Sequence, residues 1–243
     1  MKQSEFEMTF RYAGENTMNI AVIAAHPDDA ELGLGATMAL LVSQGHRVLI
    51  IDATNGEPTP FGDIATRAQE AAEAANILGV TRVNLEWTNR AITHDLASRH
   101  ALAGQLRLNK IDIMFVPHPL DTHPDHLALT QICIDARFDS KLTKSKIPGE
   151  PHHPRRLFHY FCTHLKHVPQ PDFIVNCAGF EQKKMQAIAA YKSQFQANPK
   201  NHSIPNWVES MGRFYGSRIN SDFGEPITSP ECVGVRDISA LLP

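Results

Sequence analysis

Two short stretches concentrate the residues able to do chemistry. The first is Ala25-His26-Pro27-Asp28-Asp29-Ala30-Glu31; the second is Asp121-Thr122-His123-Pro124-Asp125-His126. Imidazole and carboxylate are common ligands for Zn²⁺, and a catalytic zinc keeps three protein ligands and an open position. His26 and Asp29 stand at i, i+3, a spacing that can aim both at one point, and His123 and His126 repeat it. Asp28 and Asp125 are left beside such a centre rather than on it. Hydrolysis needs one extra carboxylate to take a proton from activated water. It uses another to orient a ligating imidazole. A set of two histidines and one carboxylate also suits a non-haem Fe²⁺ oxygenase. That chemistry has no evident need for a free aspartate, so Asp28 favours hydrolysis. Either stretch alone could be a polar loop, with Asp29 capping the next helix. Their repetition at matching places argues for a site.

Those places are set by the elements around them. Met18-Asn-Ile-Ala-Val-Ile-Ala-Ala25 is an almost continuous apolar run, the pattern of a buried parallel strand. A helix is expected over 30–44, and Arg47 to Asp52 reads as a second strand. Asp63 and Gly79 bracket the next helix as N-cap and stop. Its apolar positions Ile64, Ala68, Ala71, Ala75 and Leu78 follow the helical period. A strand over 82–87, a helix over 94–109, a strand over 111–116 and a helix from Pro124 or Asp125 to 138 follow. An exposed loop is expected over 139–156, then strands over 156–162 and 172–176 and helices over 179–194 and 205–218. Alternating strands and helices predict an α/β, Rossmann-like three-layer sandwich with a mostly parallel sheet. Open α/β sheets build sites at the carboxyl ends of their strands. With strand order 3-2-1-4, strands 1 and 4 are neighbours, and the two stretches converge although 97 positions separate His26 from His123.

Composition narrows the alternatives. The 243 residues carry a net charge of −3, with 42% hydrophobic and 20% charged residues, an ordinary globular balance. A pI near 6.5 offers no footprint for nucleic acid or for an anionic membrane. No apolar stretch approaches the roughly 18 residues of a membrane span, and the first 17 residues lack the apolar core of a signal peptide. A cytoplasmic protein is expected, with residues 1–17 an extension before one domain over 18–243. Cys133, Cys162, Cys177 and Cys232 show no paired spacing and read as buried, reduced thiols. Gly33-Leu34-Gly35 lacks the third glycine of a dinucleotide fingerprint, with Met38 in its place, and reads as close helix-to-strand packing. There is no G-x-S-x-G elbow for a serine hydrolase. The 13 histidines include His152, His153, His159, His164 and His167, which lack ligand spacing and are expected at a surface or interface.

The string His26-Pro27-Asp28-Asp29-Ala30-Glu31-Leu32-Gly33, paired with His123-Pro124-Asp125-His126, resembles the LmbE-like (PIG-L) family of zinc-dependent N-acetylglucosamine deacetylases. Arg67-Ala-Gln-Glu70, Ala74 and Leu78-Gly79 extend the resemblance. Gln170-Pro-Asp-Phe173, Tyr191-Lys-Ser-Gln-Phe195, Tyr215-Gly216 and Gly224-Glu225 resemble its bacillithiol-pathway branch, which deacetylates N-acetylglucosaminyl malate. The resemblance implies Zn²⁺, or Fe²⁺ in the same place, held by His26, Asp29 and His126. It implies Asp28 as general base and donor of a proton to the leaving amine, with His123 donating to the oxyanion and Asp125 orienting an imidazole. Arg67 would face the malate carboxylate. The expected partner is a small amino-sugar substrate, with neither nucleic acid nor membrane. A homo-oligomer is implied, hexamers being frequent among such proteins. Many branch members carry Arg where this chain has Thr122, which removes a cation beside the site.

Overall fold

The computed structural model describes residues 17–235. All but the last residue of the expected N-terminal extension lies outside that range. Seven strands form one sheet in the order β3-β2-β1-β4-β5-β7-β6. In chain order the elements are β1 (Asn19–Ala24), α1 (Asp29–Ser43), β2 (Arg47–Thr54), α2 (Ile64–Leu78), β3 (Thr81–Trp87) and α3 (Leu96–Leu108). β4 (Ile113–Pro117), α4 (Pro124–Asp139), β5 (Arg156–Tyr160), β6 (Phe173–Asn176), α5 (Glu181–Ala190), α6 (Lys192–Phe195), α7 (Ile204–Ser217) and β7 (Gly224–Thr228) follow. β3, β2, β1, β4 and β5 pair in parallel, and β7 pairs antiparallel with β5 and β6. The expected α/β sandwich and its 3-2-1-4 order are what the chain adopts.

The apolar run of β1 is continuous because both faces are covered. Ile20, Val22 and Ala24 pack into the core beneath α1, α2 and α5. Ala21, Ile23 and Ala25 pack into the opposite core with α3 and α4. Strand alternation sends successive side chains to opposite layers, so every position must be apolar. Burying an Ile fully stabilises by about 1.5–3 kcal/mol, and Ile20 and Ile23 are both inaccessible or nearly so.

α1 is broken near its start: Leu34 has non-helical angles of φ −133° and ψ 22°. The flanking glycines allow the close packing expected of them. A Cβ on Gly33 would overlap the Tyr160 ring, and one on Gly35 would lie 2.8 Å from Lys184 Cγ. The amides of Ala36 and Thr37, released by the break, donate to the buried Glu225 carboxylate at 3.1 and 2.7 Å. Lys184 neutralises that carboxylate at 2.6 Å.

Several expectations change. On α2 the buried face runs through Arg67, Glu70, Ala71, Ala74, Ala75 and Leu78, while Ile64 and Ala68 are exposed. Two charged residues take inner positions because each has a polar partner there: Arg67 pairs with the partly buried Asp28, and Glu70 accepts from Ser193 N and Oγ, both at 2.7 Å. The helix expected over 179–194 is interrupted at Tyr191, whose hydroxyl donates to Glu31 at 2.9 Å. Residues 139–156 are not simply an exposed loop. They wrap the buried Arg107 guanidinium, which donates to the carbonyls of Ser140, Leu142 and Ile147 at 2.9, 2.6 and 2.9 Å. β7 was not expected; it is short and contains Pro226. Cys232 is exposed, unlike the other three thiols.

Candidate metal centre and active site

The two histidine–aspartate stretches meet where β1 and β4 end side by side. β1 pairs directly with β4, Ile20 opposite Ile113. The chain leaves β1 into His26 and enters α1 at Asp29, then leaves β4 and enters α4 at Pro124. Proline suits a first helical turn, where its missing N–H leaves no bond unmade. His123 is the N-cap of α4, its Nδ1 accepting from Asp125 N at 3.2 Å. Asp125 and His126 therefore project from the first turn into the crevice.

His26, Asp29 and His126 form a tight triad. The Asp29 Oδ2 atom lies 3.2 Å from His26 Nδ1 and 3.1 Å from His126 Nε2. The same oxygen accepts from His26 N at 2.9 Å, so Asp29 is fixed by the loop and does not cap α1. The far nitrogen of each imidazole meets a further carboxylate. His26 Nε2 is 3.1 Å from Asp125 Oδ2, and His126 Nδ1 is 3.1 Å from Asp121 Oδ2. An imidazole held by a carboxylate on its outer nitrogen is oriented and made more basic on its inner one, the usual support of a metal ligand.

These residues fit a divalent cation. His126 is fully buried, yet neither its Nε2 nor its Nδ1, the latter 3.1 Å from Asp121 Oδ2, makes a hydrogen bond of good geometry. The three donor atoms lie within 4.8 Å of one another. Burial opposes charge on His26, but hydrogen bonds to Asp125 and Asp29 overcome it and push its pKa up to about 9. On His126 burial acts likewise and the Asp29 charge prevails, raising it well above the usual value. Burial would raise Asp29, but His126 draws it well below the usual carboxylate range. The negative charge of Asp29 is thus matched by protons that a cation would displace on binding.

Asp28 sits between the triad and Arg67. Its backbone has φ 121° and ψ −30°, a region that costs a non-glycine residue about 1–3 kcal/mol and persists only where the surroundings enforce it. Arg67 Nη2 lies 2.9 Å from Asp28 Oδ2. Arg67 also donates from Nε and Nη2 to Pro27 O at 3.1 and 2.6 Å. Burial raises the Asp28 pKa to about 7 against the opposing pull of Arg67. Arg67 is only 3% exposed, so it lies on no solvated helix face. Its first role is to hold Asp28, with Nη1 left without a partner.

His123 stands across the site, its ring centroid 4.8 Å from those of both His26 and His126. Because Nδ1 accepts from a backbone N–H, the ring proton resides on Nε2. Burial and then the positive His126 lower the His123 pKa to about 4, so this donor is neutral.

A cavity of about 310 Å³ opens over these groups. That falls in the roughly 300–1,000 Å³ range of small-ligand sites. Its walls include the neutral hydrogen-bonding side chains Thr59, Asn89, Gln194 and Asn201, with Arg90 and His164. All seven site residues named from the sequence come together here.

Sequence reasoning missed Asp121, Arg90 and His164. Asp121 was legible only as one of two carboxylates in the second stretch. His164 is exposed as expected, yet its ring centroid lies 5.3 Å from that of His123. Its carbonyl accepts from Thr122 N at 3.3 Å and Thr122 Oγ1 at 2.7 Å. His159 is buried, its Nδ1–H donating to Pro117 O at 3.0 Å, and His152 is half-buried against Ile111 O at 2.8 Å. His153 and His167 are exposed as expected.

Fold and site together define an α/β protein with a cluster of His26, Asp29 and His126 that could hold a metal ion at the carboxyl ends of its strands. Residues 21–137 match the family model described as PIG-L, GlcNAc-PI de-N-acetylase. The conserved protein TT1542 from Thermus thermophilus is similar, with 34% identity and a TM-score of 0.83 over 90% of this chain and 97% of that one. A diacetylchitobiose deacetylase of Thermococcus kodakarensis is 24% identical over 223 residues, 86% of this chain and 81% of the relative. The N,N'-diacetylchitobiose deacetylase from Pyrococcus horikoshii shares the fold, with a TM-score of 0.76 and 24% identity over 87% and 83% of the two chains. The chain belongs to the PIG-L/LmbE-like deacetylase family. The strings that resemble one branch mostly serve packing here: Gly216 and Gly224 lie in mutual contact, and Glu225 holds the broken α1. Among the described residues no helix is long and apolar enough to cross a membrane.

Proposed function

We propose that the protein is a zinc-dependent hydrolase that removes the acetyl group from an N-acetylglucosaminide, with N-acetylglucosaminyl malate the expected substrate. The observation that carries this reading is the free carboxylate of Asp28, held by Arg67 beside the triad of His26, Asp29 and His126. A zinc ion held by the triad would supply Lewis acidity towards the acetamide carbonyl and make water more acidic at neutral pH.

The chain's own groups do the rest. Asp28 accepts a proton from the attacking water while the new C–O bond forms at the carbonyl carbon. His123 Nε2–H donates to the oxygen that gains charge, which is worth most when the donor is already in place. Asp28 then returns the proton to the sugar nitrogen as the C–N bond breaks, leaving acetate and a free amine. Arg67 opposes the effect of burial on Asp28, whose pKa of about 7 lets the carboxylate exchange a proton near neutral pH. Asp125 and Asp121 keep the two imidazoles turned inward. The neutral polar walls suit sugar hydroxyls.

Acetate release from a panel of N-acetylglucosaminides, the malate glycoside included, tests reaction and substrate together. Asp28→Asn should keep its metal and lose about 10²–10⁴-fold in turnover, the usual cost of losing a general base. Unchanged turnover in that variant overturns the mechanism.

A further inference from the structure

The expected partner for a substrate carboxylate, Arg67, is already engaged by Asp28 and Pro27 O. Among the charged groups that line the cavity, His26 and Asp29 belong to the triad, and Asp28 and Arg67 neutralise each other. Arg90 differs. No carboxylate of the described residues lies within 4.0 Å of its guanidinium, and the residue is exposed at the cavity wall.

The backbone of Arg90 is fixed to the catalytic machinery. Its φ of 62° lies in the left-handed region, which costs an L residue roughly 1–2 kcal/mol. The turn closes with Ala91 N donating to Thr88 O at 3.1 Å. Arg90 N then donates to Asp125 Oδ2 at 2.7 Å, and Ile92 N to Asp125 Oδ1 at 3.4 Å. Asp125 Oδ2 is the atom that also holds His26 Nε2. One carboxylate therefore ties the loop after β3 to a metal-ligand histidine and sets the root of Arg90 at a fixed place relative to the triad.

We infer that Arg90 determines specificity for a substrate whose aglycone carries a carboxylate, paired with its guanidinium at the cavity wall. This rests on the deacetylase reading above and assigns the cation that Thr122 does not provide. A guanidinium matches the two oxygens of a carboxylate with parallel N–H donors. The other polar walls are neutral or committed, so this pairing separates an anionic aglycone from a neutral one.

The test compares N-acetylglucosaminyl malate with neutral methyl N-acetylglucosaminide, using the full-length, metal-loaded protein and its Arg90→Met and Arg90→Lys variants. In Arg90→Met, kcat/KM for the malate glycoside should fall about 10–100-fold further than for the methyl glycoside, mainly through KM, as loss of a charge-assisted pair predicts. Arg90→Lys should restore part of that preference. Equal losses on both glycosides mean that Arg90 acts only through Asp125, and no loss means a solvated arginine; either overturns the inference. If the wild type releases acetate from neither glycoside, the deacetylase reading fails separately. Calorimetric binding of glucosaminyl malate then decides. At least tenfold weaker binding to Arg90→Met supports the carboxylate site, and equal or undetectable binding overturns it.

Discussion

Arg67 Nη2 lies 2.9 Å from Asp28 Oδ2, and the guanidinium that makes this pair is almost fully buried. The two residues are 39 positions apart and come from the loop after β1 and from α2. Burial pushes the Asp28 pKa up to about 7 even with this cation beside it, and higher still without it. The pair therefore sets whether Asp28 can act as a base.

Removing that cation has a definite sign. Burial raises the Asp28 pKa and Arg67 lowers it. Arg67→Met removes the largest pull against burial, so the carboxylate stays protonated to higher pH. A base works only when deprotonated, so the acid limb of the kcat/KM profile should move to higher pH, and activity at neutral pH should fall. An acid limb that stays in place would show that Arg67 does not tune Asp28.

The proposed metal centre predicts graded losses. His126→Ala removes a ligand and should abolish stoichiometric zinc in elemental analysis. Asp121→Asn keeps the ligand but weakens its orientation, so zinc affinity should drop about 10–100-fold, the usual range for such outer carboxylates. Full zinc retention in His126→Ala would remove it from the ligand set. A chelator should lower the thermal midpoint, because a bound ion stabilises only the folded chain.

Gly33 predicts a stability effect some distance from the metal. An added Cβ would overlap the Tyr160 ring and sit 3.3 Å from Phe161 O. Tyr160 cannot yield freely, since its hydroxyl donates to Ile23 O at 3.0 Å. Gly33→Ala should cost roughly 1–3 kcal/mol, the range for overpacking a dense core. Chemical denaturation measures this directly, and an unchanged midpoint would show that the ring moves aside.

The thiols predict a reactivity pattern. Cys133, Cys162 and Cys177 are buried and Cys232 is exposed. Burial pushes Cys162 up to about 11 and raises Cys133 and Cys177 as well. The reactive species is the thiolate. At mildly alkaline pH a disulfide reagent should therefore titrate one thiol quickly in the native protein, and all four only after unfolding.

Residue type and spacing by themselves determined the layered α/β class, the strand-end location of both histidine–aspartate stretches, and six of the seven residues that converge there; Arg67 was named only through the family resemblance. Local periodicity suffices for this, because a doubly covered strand must be apolar throughout and a helix start is marked by its cap. Tertiary structure alone decided how those residues divide their work. Asp125 serves His26, 99 positions away, and Asp121 serves His126. Neither choice is encoded in spacing, since each follows from how two neighbouring strands deliver their loops. α2 rotated its buried face to admit Arg67 and Glu70, against its apolar period, because each had a polar partner elsewhere in the chain. Arg90 likewise reads as an ordinary surface arginine until the fold seats its backbone on Asp125 at the wall of the cavity.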